Sequence, residues 1–312
     1  MRIVSLLPST TEIVCRLGLE HHLVGRSHEC DFPAQITHLP ILTEPKFKEN
    51  RDSSEIDKQI KSLLQNGLSV FKVNAEKLSE LNPDFILTQD HCEVCAVSIS
   101  EVEDAVKKYT ESNCEVISVS PVNLEDIFNS FKTIGIATET EHSADNLINE
   151  TKERLNIIRN TVCGEVKKSV VTVEWIDPLM TAGNWVPELI ELAGGEDLLG
   201  EPGEHSPWID WNSIKEADPE FLLILPCGYS IRQTKKELDI LTENPGWNDL
   251  RAVQNDNVYI MDGNQYFNRP GPRIFESTRI IAEILHPHLF KPTMKNSGWK
   301  HITNHHLTSL KT

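Results

Sequence analysis

The sequence predicts an α/β protein with two lobes, each built on a parallel sheet, joined by one long α-helix, with a ligand cleft between the lobes. An internal repeat and one long helical stretch support this fold class. Residues 78–92 read LSELNPDFILTQDHC and residues 214–228 read IKEADPEFLLILPCG, with Pro83 falling on Pro219. Two similar α/β halves predict two lobes, and a cleft between lobes is a common place for a ligand.

Each copy of the repeat predicts a short helix, a turn and a buried strand. Proline disfavours the α conformation in the residue before it, so Pro83 and Pro219 are expected to end the two helices. The apolar runs that follow do not alternate with polar residues, which is typical of strands buried on both faces of a parallel sheet. Ser9 and Glu12 have the spacing of a capping box at the start of the first helix. The other predicted elements are strands at 2–6, 23–27, 116–120, 170–175 and 257–261, and helices at 10–19, 52–66, 100–109, 124–137, 184–193, 230–241 and 274–285.

Residues 141–162 carry apolar side chains at helical spacing and contain no Gly or Pro,. A helix of this length, roughly 30 Å, is stiff enough to connect two lobes. The predicted organisation is an N-terminal lobe (1–138), a connecting helix (139–163), a C-terminal lobe (164–290) and a basic, flexible tail (291–312). The alternative is one large domain in which this helix lies on the surface.

Composition excludes several classes of function. The net charge of −17 argues against nucleic acid and anionic membrane surfaces as partners,. Pro8 interrupts the first apolar run, which is too short for a signal peptide, and no stretch is long enough to insert into a membrane,. With seven cysteines, an odd number, we expect a cytoplasmic protein in a reducing compartment, with a periplasmic location as the alternative,. Common nucleotide-binding and hydrolase motifs are missing, so the sequence gives no support for an enzyme,.

Cysteine and histidine follow two of the predicted strands. His28 and Cys30 come after one strand, and His91, Cys92 and Cys95 come after another. Because loops at the carboxyl ends of parallel strands converge, these side chains are candidate ligands for zinc or another transition metal. A redox-active Cys-x-x-Cys pair and ordinary buried cysteines are the alternatives.

Aromatic residues concentrate in the second half of the chain, where all six tryptophans lie after residue 174. Trp175, Trp185 and Trp208 fall in polar loops rich in Pro and Gly, and Tyr266 falls in another such loop. Indole and phenol rings in such loops suit a large flat ligand that is stacked and hydrogen-bonded at its edges. Surface packing of the loops is the alternative interpretation.

Several strings resemble the helical-backbone class of periplasmic binding proteins, and within it the vitamin B12-binding proteins of ABC importers. They are RIVSLLPSTTE at the N-terminus, DFP at 31–33, LNPD at 81–84 and RPGPR at 269–273, and the resemblance covers residues 1 to about 290. The chain also resembles a subgroup without a signal peptide that is labelled as cobalamin-binding. The strings that carry this resemblance are HECD, QDHCEVC, AGNWVPEL and NRPGPR.

The resemblance implies two Rossmann-like lobes joined by a long helix, with a corrinoid such as cobalamin between them. It implies that Trp208, Gln265, Tyr266 and Arg269 contact the ligand. At position 89 the chain has Gln89, whereas the binding proteins of the importers have an aromatic residue that stacks on the ligand. Imidazole is a common metal ligand, so His28 or His91 is expected to approach the metal of such a ligand. The full set of candidate ligand-binding residues is Ser9, His28, Glu29, Gln89, Trp175, Asn184, Trp185, Trp208, Gln265, Tyr266 and Arg269.

The resemblance also bears on partners. Members of the class dock on their transporter through one exposed Glu on each lobe. Glu76 fits the first position, whereas the repeat places Asn212 at the second, so docking on an ABC transporter is in doubt. The favoured hypothesis is a non-catalytic cytoplasmic protein that binds a corrinoid or a related metal chelate. The alternatives are a metal-dependent or thiol enzyme that uses the Cys/His set, and the binding component of an importer for B12, siderophore or metal.

Overall fold

The computed structural model describes residues 1–49, 51–65, 70–89 and 114–303, which form two compact units. The first unit comprises most of the chain up to Glu150, and the second comprises Thr151 onward together with the short segments Asp52–Ser54 and Val122–Leu124. Each unit contains its own sheet, so the predicted α/β class with two parallel-sheet halves is confirmed. The predicted helix at 100–109 lies outside the described residues.

The first unit contains a four-stranded sheet in which every strand pair is parallel. Its strands are β1 (Ile3–Ser5), β2 (Leu23–Arg26), β5 (Phe85–Gln89) and β6 (Glu115–Val119), in the order β2-β1-β5-β6. A separate antiparallel pair joins β3 (Thr43–Pro45) to β4 (Phe71–Val73). Its described helices are α1 (Pro8–Arg16), α2 (Ser53–Gln65), α3 (Ala75–Leu81) and α4 (Leu124–Ala137), of which α2 and α4 begin in the short segments assigned to the second unit. Val4 and Ile86, on neighbouring strands, pack with Leu78 of α3 in the core.

The second unit contains a five-stranded sheet. The strands β7 (Lys168–Val173), β8 (Gly195–Asp197), β9 (Phe221–Ile224) and β10 (Val258–Met261) are parallel, and β11 (Trp299–His301) pairs antiparallel with β10. The order is β11-β10-β9-β7-β8. Its helices include α6 (Val186–Leu192), α7 (Trp211–Ala217), α8 (Ile231–Lys236), α9 (Leu238–Thr242), α10 (Arg251–Gln254) and α11 (Ile274–Leu285). Leu222 and Ile224 of β9 are fully buried, as the run of apolar residues predicts,.

The long helix α5 spans Glu141–Thr161, 21 residues, close to the predicted limits. The boundary between the two units falls within it, after Glu150. Its buried side chains recur at helical spacing, with Ala144, Leu147 and Leu155 among them,. The numerical limits of the predicted domains stay a prediction. None of the described helices has the length and apolar character needed to cross a membrane.

Two sequence-based expectations differ from the structure. Helix α1 begins at Pro8 with Leu7 as its N-cap, and no side chain caps it, so the predicted capping box of Ser9 is wrong. Proline favours the first helical turn, which starts the helix earlier and leaves Ser9 buried within it,. The expectation of a flexible tail also fails for its first part, because β11 extends the sheet and Trp299 is buried. Residues 304–312 lie outside the described residues.

Candidate ligand-binding loops

The predicted aromatic loops of the second unit follow the carboxyl ends of its parallel strands. One loop begins at Glu174 after β7, another at Leu225 after β9, and a third at Asp262 after β10. Parallel strands in register bring the ends of β7, β9 and β10 to one edge of the sheet. This edge is where ligands bind in open α/β sheets.

A buried carboxylate organises these loops. Ser206 donates a hydrogen bond from Oγ to Oε2 of Glu174 at 2.5 Å, and Asn268 donates from Nδ2 to Oε1 at 3.2 Å. Burial raises the pKa of Glu174 to about 7, although the bonds from Ser206 and Asn268 act in the opposite direction. Glu174 therefore connects the loop after β7 to two other loops, and its charge changes near neutral pH.

The loop around Ser206 lies close to the backbone at Gly183. Ser206 Oγ accepts a hydrogen bond from the Gly183 N–H at 3.0 Å and lies 3.5 Å from Asn184 Nδ2. A Cβ at position 183 would overlap the carbonyl oxygen of Glu204, so only glycine permits this approach,. The same close contact positions the neighbouring Asn184, one of the predicted ligand residues.

The loop after β10 begins with one turn of π-helix, Gly263–Phe267. Asp262 caps it by accepting a hydrogen bond from the N–H of Gln265 at 2.8 Å. A Cβ at Gly263 would overlap the carbonyl oxygen of Pro226, so the turn packs directly against the backbone of the loop after β9. Such π-turns are often found at functional sites.

Charged side chains hold the residues of this turn. Arg273 donates to Oε1 of Gln265 at 3.0 Å, and its guanidinium carbon lies 5.4 Å from the centre of the Tyr266 ring. Arg269, which is buried, donates to Oδ1 of Asn264 at 3.1 Å. The predicted residues Gln265, Tyr266 and Arg269 thus lie on or directly after one ordered turn.

The aromatic residues of the second unit divide by exposure. Trp208 is 54% exposed, whereas Trp175 and Trp185 are buried. Trp175 packs edge-on against Tyr229, with ring centroids 5.5 Å apart. The indole Nε1 atoms of Trp175 and Trp185 make no hydrogen bond to any described residue. Buried indole N–H groups usually find an acceptor, so these two unsatisfied donors are exceptional.

In the first unit, a buried arginine holds the loop after β2. Arg26 donates from its guanidinium to the carbonyl oxygens of Ser27, Cys30 and Thr37 at 2.8–3.0 Å. These three acceptors stabilise the buried charge and connect three points of the backbone that follows the strand. The loop carries the predicted residues His28, Glu29 and Cys30, with His28 and Glu29 half-buried.

His28 and Cys30 have different surroundings. His28 Nδ1 lies 2.6 Å from Oγ1 of Thr43, and Nε2 lies 3.6 Å from a carboxylate oxygen of Glu49. The pKa of Glu49 is held below its usual value chiefly by this imidazole. Cys30 is fully buried, and its Sγ lies 3.1 Å from Oγ1 of Thr11.

The other predicted residues of the first unit lie at element ends or outside the description. Ser9 is buried in α1, and Gln89 is buried at the last position of β5. His91, Cys92 and Cys95 lie outside the described residues, so the predicted Cys/His metal set stays a prediction. Within the described ranges, His28 and Cys30 belong to no cluster of three metal-type ligands.

Sequence reasoning missed Glu174 and Ser206, and it left Asn268 out of the set of candidate ligand-binding residues. The available signal was Glu174 itself, a single acidic residue directly after a buried strand. A carboxylate without partners is energetically unfavourable in such a place. The partners come from loops far apart in the chain, and no local spacing connects them.

The chain is similar in sequence to known binding proteins. A family model described as "Periplasmic binding protein" matches residues 3–265. An uncharacterized ABC transporter substrate-binding lipoprotein of Bacillus subtilis, YvrC, is 25% identical over 299 residues, which is 93% of this chain and 81% of the relative. A vitamin B12-binding protein of Vibrio cholerae is 20% identical over 290 residues, covering 91% of this chain and 88% of the relative.

Solved structures share the fold. A possible iron-binding, periplasmic solute-binding protein of Staphylococcus epidermidis superposes with a TM-score of 0.68 at 24% identity, covering 91% of this chain and 98% of the other. The periplasmic vitamin B12-binding protein of Vibrio cholerae has a TM-score of 0.63 at 20% identity, covering 91% and 96%. A periplasmic heme-binding protein of Pseudomonas aeruginosa has a TM-score of 0.69 at 18% identity, covering 92% and 93%.

Proposed function

The chain belongs to the periplasmic binding protein family, and from this premise we propose that it binds a corrinoid or a closely related metal chelate without catalysing a reaction. The observation that carries the proposal is the turn after β10, which presents Tyr266, Gln265 and Arg269 together at the carboxyl edge of a parallel sheet. Relatives named as vitamin B12-binding proteins match about nine-tenths of this chain.

The chemistry of the loops fits a flat ligand with polar edges. The exposed indole of Trp208 and the phenol ring of Tyr266 provide apolar faces for stacking,. A corrin ring carries amide side chains at its rim, which both donate and accept hydrogen bonds. Asn184 and Gln265 can pair with such amides.

A direct test is titration of the purified full chain with cyanocobalamin, followed by tryptophan fluorescence and by the corrin absorption spectrum. We expect saturable binding, weakened about 10-fold or more by Trp208→Ala or Tyr266→Ala through loss of a stacked ring. Trp211→Phe is the matched control, because the Trp211 ring is already stacked on Trp247 and its N–H is already donated to the carbonyl of Pro245. An absence of binding at millimolar cobalamin would contradict the proposal.

Parallel titrations identify the class of ligand. Heme tests another flat chelate, and a ferric siderophore tests a compact, polar chelate. Binding of heme or cobalamin that depends on Trp208 and Tyr266 supports a flat ligand. Binding of the siderophore alone, with no effect of the two substitutions, would move the function to a different ligand class.

A role as the binding component of an importer is a second candidate, favoured by the similarity to the Bacillus subtilis lipoprotein. Glu76 and Asn212 are both exposed in the first turns of α3 and α7, the docking positions that the family resemblance implies. We propose that the unequal pair makes docking weak and that the protein acts in the cytoplasm. Cell fractionation tests the location. Uptake of labelled cobalamin tests docking, by comparing cells that carry Glu76→Ala with cells that carry Asn212→Glu. Recovery in the cell envelope, with uptake lost in Glu76→Ala, would support the importer instead.

A further inference from the structure

A cluster of metal-type ligands lies in the second unit, away from the loops described above. Glu165, His286 and His288 each offer one ligand atom, and these atoms all lie within 4.8 Å of one another. Among the residues that the structure describes, this is the only group of three or more such side chains with this spacing. The sequence signal is the His-Pro-His string at 286–288, to which Glu165 is brought only by folding.

The cluster occupies the edge of the sheet opposite to the candidate ligand loops. Glu165 shortly precedes the first residue of β7, and His286 follows the last residue of α11. Gly194, directly before β8, packs against the imidazole of His286. All of these positions lie at the amino ends of β7 and β8, whereas the aromatic loops follow the carboxyl ends of the strands. A ligand here is therefore separate from one held by Trp208 and Tyr266.

His286 is an unusual residue to find in this position. It is 0% exposed, and neither of its ring nitrogens makes a hydrogen bond of acceptable geometry to a described residue. The carbonyl oxygen of Gly194, which accepts the N–H of Lys168 at 3.1 Å, is close to the ring but gives it only a poorly aligned contact. Burying an imidazole without partners is unfavourable, and native proteins rarely leave such groups unsatisfied. A metal ion would give His286 the missing partner.

The glycine at position 194 provides the room for this ring. A Cβ there would lie 2.6 Å from Nε2 of His286, and the residue has a φ of +81° that disfavours any side chain,. The ring is therefore held at a fixed place beside the backbone, as a metal ligand must be.

The other two side chains are placed to complete the coordination. His288 Nε2 lies 3.4 Å from Oε2 of Glu165, and the rings of His286 and His288 are 6.1 Å apart between centroids. Tetrahedral ligands at about 2.1 Å from a zinc ion are about 3.4 Å apart, so this pair already has the spacing of two ligands. The side chains of His288 and Glu165 are 57% and 37% exposed, which leaves them room to close the remaining gap.

We propose that Glu165, His286 and His288 form a binding site for a divalent transition metal, with zinc as the best match. Two imidazoles and one carboxylate form a donor set that zinc takes in proteins when its fourth position is left to water. The site links the segment after α5 to the end of α11, so a bound ion cross-links two segments that are far apart in sequence. Its expected effect is a gain in stability, because an ion that binds only the folded chain shifts the unfolding equilibrium.

The test is titration of the metal-free full chain with Zn²⁺ by calorimetry and with Co²⁺ by visible absorption. All proteins compared, the parent included, carry His305→Ala and His306→Ala, which removes the paired histidines of the C-terminal tail. We expect one equivalent of metal whose binding is weakened at least about 100-fold in Glu165→Gln and in His288→Ala, because each loses a direct ligand. His142→Ala is the matched control, since His142 is an exposed histidine on α5 that belongs to no such cluster among the described residues.

Two further readouts separate this site from the predicted cysteine-containing set. Co²⁺ held by nitrogen and oxygen gives d–d bands without the near-ultraviolet charge-transfer band of thiolate ligands. Zinc should also raise the melting temperature of the parent chain and of His142→Ala, but not that of Glu165→Gln or His288→Ala. The proposal is overturned if the bound equivalent survives both substitutions, if the cobalt spectrum shows thiolate ligation only, or if no metal binds at all.

Discussion

Asn74 and Asp210 cap two equivalent helices in the two halves of the chain. Each side chain accepts a hydrogen bond from the backbone N–H three residues later, Lys77 at 3.0 Å and Ser213 at 2.8 Å. The repeat offset that superposes the two prolines also superposes these two caps. The internal repeat therefore extends to cap geometry as well as to the apolar pattern.

The two caps should respond differently to pH. Replacing Asn74 by Ala should lower the free energy of unfolding by about 1 kcal/mol at any pH, because a neutral amide is lost. Backbone hydrogen bonding to Ser213 holds the pKa of Asp210 below its usual value. The contribution of Asp210 is then present above the unfolded pKa of an aspartate and is lost as pH falls through the lower folded pKa. Urea denaturation of Asn74→Ala and Asp210→Ala between pH 2 and pH 7 measures both effects, and an equal pH response in both variants would contradict this account.

The elements with strong local signals are the ones that the sequence predicts well. The predicted limits of the helices Leu124–Ala137 and Ile274–Leu285 match the structure to the residue, because their apolar positions repeat at helical spacing,. The residues before the two prolines of the repeat also leave the right-handed helical conformation as predicted. Asn82 and Asp218 have φ values of 41° and 37°, and they end α3 and α7,.

The features that the sequence does not predict depend on contacts between distant segments. Strand β11 has only three residues, too few for a periodic signal, and it forms because the edge of β10 offers unpaired backbone groups,. The hydrogen bonds of Glu174 likewise come from loops that are separate in the chain, so its burial and its partners become visible only in the folded structure.

The buried carboxyl of Glu174 should make stability depend on pH near neutrality. Its folded pKa of about 7 lies above the ordinary value of 4.5, so the unfolded chain loses this proton first as pH rises. The free energy of unfolding of the parent chain should therefore fall between about pH 4.5 and pH 7, by an amount on the order of 3 kcal/mol. Glu174→Gln cannot ionise, so its stability relative to the parent should increase across this window in denaturation curves measured at several pH values.

A companion variant provides the control for this effect. Ser206→Ala removes a hydrogen bond that lowers the pKa of Glu174. The pH window should then extend to higher pH. In Glu174→Gln only the part contributed by Asp197 should remain, since burial raises the pKa of Asp197 to about 6,. If Glu174→Gln keeps the pH dependence of the parent chain, another group is responsible.

The turn after β10 should not tolerate a side chain at its first residue. In Gly263→Ala the new Cβ would overlap the carbonyl oxygen of Pro226, and backbone would have to move. We expect a loss of at least about 2 kcal/mol in thermal or chemical denaturation, together with weaker ligand binding because Gln265 and Tyr266 shift. Gly228→Ala is the control, since Gly228 has a φ of +72° but open space around its Cβ, and it should cost about 1 kcal/mol,. Equal effects of the two substitutions would argue against the close contact.

The C-terminal strand should contribute to the stability of the second unit. Trp299 is 6% exposed, and its Nε1 donates to Oε2 of Glu283 at 3.0 Å. The same carboxylate accepts the N–H groups of Thr293 and Met294 at 2.9 and 3.1 Å, so it anchors the chain before β11. Trp299→Ala should lower the free energy of unfolding by about 3–5 kcal/mol, through the lost apolar contacts and the lost hydrogen bond to a buried carboxylate.

Lys300 is the matched control for this last variant, because it lies on the same strand and its ammonium is close to that of Lys235. The two like charges repel each other, so Lys300→Ala should leave stability unchanged or slightly raised. A third variant ends at residue 290 and therefore lacks β11. Chemical denaturation of all three variants compares the stability lost with the whole strand with the stability lost with each single side chain. The shortened chain should lose at least as much stability as Trp299→Ala, and a shortened chain as stable as the parent would mean that β11 adds nothing to the sheet.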